Sequence, residues 1–116
     1  MVGHTRYDGF LNIDGDPLAK PDYLLNLETD RLPFEDSTIE EVKACHILEH
    51  IGDGFFHLMK EIYRVCKHSA TMEVQTPHHR SDVWYGDPTH VRFITLDNMR
   101  LFSKTYNEWH LKTFRE

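Results

Sequence analysis

Little in this chain points toward nucleic acid or membrane. No block of Lys or Arg occurs, and the formal net charge is −6 with His neutral. A protein that grips a phosphate backbone by charge is normally basic, so no nucleic-acid partner is expected. No apolar run approaches the roughly 20 residues that a bilayer span needs, so no membrane partner is expected either. The start, Met1-Val-Gly-His-Thr-Arg6, lacks the pattern of a signal peptide. Cysteine is scarce: Cys45 and Cys66 carry no CxxC spacing. Both lie in apolar surroundings and read as reduced core thiols, which sets the expectation of a cytoplasmic protein. There is no internal repeat, no low-complexity tract and no dividing linker. One domain over residues 1–116 is therefore expected, and 40% apolar residues suffice for one core.

What is present alternates between strand-like and helix-like stretches. Phe10 to Asp14 reads as a short strand, ended by the turn Gly15-Asp16-Pro17. Tyr23 to Leu27 reads as a second strand, and Asp30 to Ser37, with Pro33, as a loop. Ile39 to Ala44, extending to Cys45, reads as a third strand. Gly52-Asp53-Gly54 breaks the chain, with Asp53 available as a helix cap. Phe55, Met59, Ile62 and Cys66 then share one face of a helix over about 54–66. Ala70 to Thr76 alternates as a strand and stops at Pro77. Residues 78–93, rich in His, Asp and aromatics, read as an ordered loop. Leu96 to Phe102 has a short helical pattern with Asp97 near its start, and Tyr106 to Phe114 reads as a last strand carrying Trp109 as a packing or interface residue. Strands separated by loops and helices imply an α/β sheet that is at least partly parallel.

Several residue patterns bear on chemistry. Asp14 ends an apolar run, the place where ligands bind in open parallel sheets, though a turn acid capping its own backbone fits as well. His46-x-x-Glu49-His50 matches the inverted zincin pattern. That pattern needs a helix to align its two histidines, and here His46 follows a strand while Gly52-Asp53-Gly54 stops any helix. A structural turn, with Glu49 and His50 bonded to neighbouring loops, competes with a catalytic role. Nine histidines are many for this length, and His78, His79 and His90 lie close to Asp82 and Asp87. They show no regular ligand spacing, so no metal site is assigned, and a His-rich metal-binding protein is a distant third reading. His90 is the candidate general base. Trp84 and Tyr85 either stack on a substrate or pin their loop to the core.

Taken in order, Gly9-Phe-Leu-Asn-Ile-Asp14, Asn26 to Phe34 with Leu32-Pro-Phe34, His46-Ile-Leu-Glu-His50, Glu61-Ile-Tyr-Arg-Val65 and Asp87-Pro-Thr-His-Val-Arg92 resemble class I S-adenosylmethionine-dependent methyltransferases. The likeness is to the methyltransferase type 11-like subgroup and spans about residues 3–103. It implies a Rossmann-like α/β core, a mostly parallel sheet flanked by helices, and S-adenosylmethionine as cofactor. Asp14 would accept from the ribose hydroxyls, and Asn26 with the Leu27 backbone would read the adenine. Cys45 and His46 would lie beside the methionine portion. His50 and His90 are the catalytic candidates. His78, Trp84, Tyr85 and Asp87 would face the substrate, and Leu32-Pro-Phe34 would pack under the adenine site. The implied acceptor is a small or medium metabolite.

Three departures accompany the likeness. The family's first strand and glycine-rich turn would precede Asp14, and only Met1 to His4 stands for the tail of that turn, with Gly3 as its last glycine. Lys67-His-Ser-Ala70 stands where the family carries Lys-Pro-Gly-Gly, and Asn26 replaces an acid. The absent strand is central in the family. Either its neighbours close up, or another chain covers their edges, which gives the expectation of a homo-oligomer. The alternative function is a non-catalytic, methyltransferase-like interaction or assembly protein.

Overall fold

The computed structural model describes residues 9–102. Over that range the chain is a small mixed α/β structure with two short parallel sheets and three helices. Gly3, the strand expected at 106–114 and Trp109 lie outside the described residues.

The longer sheet pairs β3, Ile39–Cys45, with β4, Cys66–Gln75. Parallel neighbours need a crossover, and helix α1, Phe55–Val65, supplies it. Its buried residues are Phe55, Leu58, Met59, Ile62 and Val65, the expected face with Leu58 and Val65 added. Cys66 is not helical but extended, and it opens β4. Regular register begins at Glu41 against Thr71; before it the ladder is irregular, and Ser69 sits at φ +65°. Here a serine adopts the left-handed backbone that favours glycine.

The shorter sheet pairs β1, Ile13–Asp14, with β2, Tyr23–Leu24. Both strands are shorter than expected. Before the ladder, the Asn12 N–H donates to Asp22 Oδ2 at 2.7 Å, so a side chain does part of the pairing. The turn at Gly15-Asp16-Pro17 becomes a 3-10 turn over Pro17–Ala19, capped by Asp16.

The two sheets do not close up. Between β1 and β3 runs an apolar groove of about 440 Å³ whose lining includes Phe10, Ile13, Phe34, Val42, Ile62 and Val65. A sheet of Rossmann-like continuity is thus not formed among the described residues.

The halves share one apolar core, in which Ile13, Leu27 and Leu32 pack with Ala44, Ile47 and α1, and side-chain bonding around α1 adds to it. Arg64 donates through Nη2 to Leu32 O at 2.9 Å and through Nη1 to Phe34 O at 2.8 Å and Asp36 at 2.9 Å, while its Nε meets Glu61 at 2.8 Å. Glu61 in turn accepts from the Leu32 N–H at 2.8 Å. The Leu32-Pro-Phe34 loop and the Glu61-x-x-Arg64 pair are therefore one clamp. The Arg64 guanidinium, more than any other cause, holds the Glu61 carboxyl down at about 2.

At the other end of α1, no side chain caps the helix, which corrects the expectation for Asp53. Gly54 is the N-cap and its N–H donates to Glu28 Oε1 at 3.0 Å. A Cβ at Gly54 would overlap the Glu28 backbone, so glycine is required by that close approach. The region 78–93 also holds a one-turn helix α2, Asp82–Tyr85, with Ser81 as cap. Helix α3, Leu96–Arg100, starts at Thr95, whose hydroxyl and Asn98 form a reciprocal capping box.

Candidate functional site

The strand-end cavity is built where β1 and β2 stop. Asp14, Gly15, Asn26 and Leu27 line it, together with Ile47 and Ile51, in a volume of about 430 Å³. Three of the residues expected to hold a nucleoside thus share one cavity at the carboxyl ends of parallel strands. Asp14 Oδ1 accepts from the Asp16 N–H at 2.9 Å. Asp14 Oδ2 is buried and meets no donor among the described residues. A buried acceptor without a donor costs free energy, and a ligand hydroxyl would satisfy it. Asn26 is partly engaged already: its Oδ1 accepts from the Glu28 N–H at 3.0 Å, and its own N–H donates to Asp30 at 2.8 Å. The amide oxygen keeps one lone pair for a ligand.

After β3 the chain turns sharply. His46 lies at φ +53°, a left-handed position for a non-glycine residue. Its N–H donates to Gln75 O at 2.7 Å, so the turn is fixed to the end of β4. Leu48–His50 then form a 3-10 turn with Leu48 and Glu49 fully buried. This one turn serves two places. Ile47 and Ile51 face the strand-end cavity, and Glu49 and His50 form a second cluster with His90.

The loop bearing His90 is pinned to that turn. The Val91 N–H donates to Glu49 O at 2.8 Å. Arg92 bonds the Ile51 and Gly52 carbonyls and sits 4.3 Å over the Phe55 ring. His50 and His90 meet edge to face with centroids 4.6 Å apart. His50 Nε2 and His90 Nε2 lie 3.8 and 4.0 Å from Glu49 Oε1. His46 Nδ1 lies 3.9 Å from the same oxygen, and Asp87 Oδ2 lies 3.5 Å from His90 Nε2. Neither Glu49 carboxylate oxygen has a hydrogen-bond donor among the described residues. Bonds from Thr89, its side chain first, hold the Asp87 carboxyl below its ordinary value.

The remaining candidates separate. His78 stacks on His79 at 4.4 Å, and both line a different cavity, of about 530 Å³, with Thr76, Pro77 and Ile94. Trp84 stacks on Phe93 at 4.2 Å and its carbonyl accepts from His90, so Trp84 pins the loop. Tyr85 is exposed. Cys45 is buried, with Sγ 3.6 Å from Gln75 Oε1, and does not line the strand-end cavity. Sequence reasoning did not single out Arg92 as an anchor, nor Glu49 as the centre of the cluster. The available signal was the His46-x-x-Glu49-His50 pattern, with Glu49 next to the apolar pair Ile47-Leu48.

The fold and site define a small α/β chain with a polar strand-end cavity beside a His-carboxylate cluster. No family model, curated protein or solved structure matches it. No described helix is long and apolar enough to cross a membrane.

Proposed function

We propose that the chain binds S-adenosylmethionine in the strand-end cavity and transfers its methyl group to a small or medium metabolite. The observation that carries this reading is Asp14. Its buried, unpartnered Oδ2 lies at the end of a parallel strand, in the same cavity as Asn26 and Leu27. A ribose diol supplies the donors that carboxylate lacks, and Leu27 offers backbone and apolar contact for a base. The sulfonium is already activated, so methyl transfer requires mainly positioning. In this reading His50 and His90, across the 3-10 turn, take the acceptor's proton.

Titration calorimetry tests it with S-adenosylmethionine and S-adenosylhomocysteine on wild type and Asp14→Ala. Micromolar binding that Asp14→Ala weakens at least tenfold supports the reading. No heat at millimolar ligand from folded protein overturns it.

A second reading rests on the groove between β1 and β3. An apolar cleft bordered by strands suits an assembly role without catalysis, with a second copy covering the edges. A homo-oligomeric mass by light scattering, together with no cofactor binding, would favour that reading over the first.

A further inference from the structure

We propose that Glu49, His50 and His90 bind one divalent first-row transition-metal ion. The inference does not depend on cofactor binding, but it excludes the general-base role for His50 and His90, because it commits their Nε2 lone pairs to the ion. One ligand atom from each of the three lies within 4.8 Å of the other two.

The hydrogen bonds around the imidazoles decide which atoms face inward. His90 Nδ1 is 2.8 Å from the Trp84 carbonyl, which only accepts, so Nδ1 carries the proton. Thr89 donates its one hydroxyl proton to Asp87 Oδ1 at 2.6 Å. At 2.9 Å from His50 Nδ1, that hydroxyl can then only accept, so His50 Nδ1 also carries a proton. In the neutral rings both Nε2 atoms are left with lone pairs, and both face Glu49 Oε1. Three acceptors therefore converge with no donor between them. One belongs to a carboxylate that is fully buried and unpartnered. His90 is also sequestered, its side chain 5% exposed.

Such an arrangement is costly unless a cation sits at its centre. Outer carbonyl or hydroxyl partners on Nδ1 are what orient metal-binding histidines through Nε2. Bonds of about 2.0–2.2 Å would hold the ligand atoms about 3.3 Å apart. The observed 3.8 and 4.0 Å need to shorten only modestly. Two imidazoles and one carboxylate favour Zn²⁺, Co²⁺, Fe²⁺ or Ni²⁺ over Mg²⁺ or Ca²⁺, which prefer all-oxygen sets. Asp87 Oδ2 is the nearest additional carboxylate to His90 Nε2.

The rival is a proton: an imidazolium at His50 or His90 paired with Glu49. The two are separated by titrating chelator-treated full-length protein with Co²⁺ and reading its visible ligand-field bands, then displacing it with Zn²⁺. The variants are Glu49→Gln, His90→Gln, Thr89→Val and the double substitution His78→Gln with His79→Gln. We expect one equivalent of Co²⁺ in wild type, at least tenfold weaker binding in Glu49→Gln and His90→Gln, and no change in the His78/His79 pair. Thr89→Val, which removes the group orienting His50, should weaken binding about 10- to 100-fold. Metal-free Glu49→Gln should melt no lower than metal-free wild type, because it removes an unpaired buried charge. Absent bands in folded wild type, bands that survive Glu49→Gln and His90→Gln, or bands lost with His78 and His79 would overturn the proposal. So would a lower melting temperature for metal-free Glu49→Gln, the mark of an ion pair.

Discussion

β3 and β4 form an extended ladder, with register from Glu41–Thr71 to Cys45–Gln75, whereas β1 and β2 share only two pairs, Ile13–Tyr23 and Asp14–Leu24. The first half is a βαβ unit whose helix buries five side chains. The second contributes Ile13, Leu27 and Leu32 to the shared core and adds polar side-chain bonds: Asp22 on Asn12, Asp30 on Asn26, Glu28 on Gly54. The groove opens between β1 and β3, and the shared apolar core, with Arg64, Glu61 and Gly54, ties the two together. Stability is thus concentrated on one side, and the strand-end cavity lies largely on the other. An element with few buried apolar contacts is the kind that yields and adapts around a ligand.

The difference in stability between the two regions should be largest in the core. Leu58, 1% exposed on α1, should cost about 2–5 kcal/mol on truncation to Ala. Leu24, 57% exposed on β2, should cost under about 0.5 kcal/mol. Urea unfolding of the two variants checks the contrast, and equal losses would refute it. Gly54→Ala should follow at about 1–3 kcal/mol, because its methyl group is forced into the Glu28 backbone. That variant should also weaken ligand binding at the neighbouring 26–28 segment, which calorimetry would detect.

Acid should loosen the clamp. Glu61 lies below its ordinary 4.5, at about 2, so its contribution is complete above 4.5 and lost as pH falls through about 2. Wild type should exceed Glu61→Gln in stability at neutral pH, and the gap should close toward pH 2. A gap independent of pH would show that the Arg64 pairing does not stabilise the fold. A gain is expected at Ser69→Gly, up to about 1 kcal/mol from relieving its left-handed backbone, read as a higher melting temperature.

The half with regular periodicity was the half legible in the sequence. Residues 39–45 and 55–65 fall where β-branched and helical patterns put them. The first two strands were read too long, because a run such as Phe10 to Asp14 looks extended whether its bonds go to a ladder or to Asp22. Asp53 looked like a cap, but the approach of Glu28 to Gly54 decided that helix start. Ser81 caps a helix, α2, that the His-rich loop obscured, whereas α3 falls within the helical pattern read over Leu96 to Phe102, with Thr95 as its cap. Asp14, Asn26 and Leu27 were expected together because the family resemblance implies one nucleoside site for them, and they line one cavity. The Glu49–His50–His90 cluster was not, since His90 is delivered by the Val91 bond to Glu49 and the Trp84 carbonyl, which no local spacing encodes.

We propose that the strand-end cavity, and not the apolar groove between β1 and β3, receives the nucleoside. Amide chemical-shift mapping by NMR during a titration with S-adenosylhomocysteine tests it most directly. Shifts should cluster at Asp14, Gly15, Asn26, Leu27, Ile47 and Ile51 and be lost in Asp14→Ala. Shifts confined to residues 39–43 along the groove, or none at millimolar ligand, would contradict it.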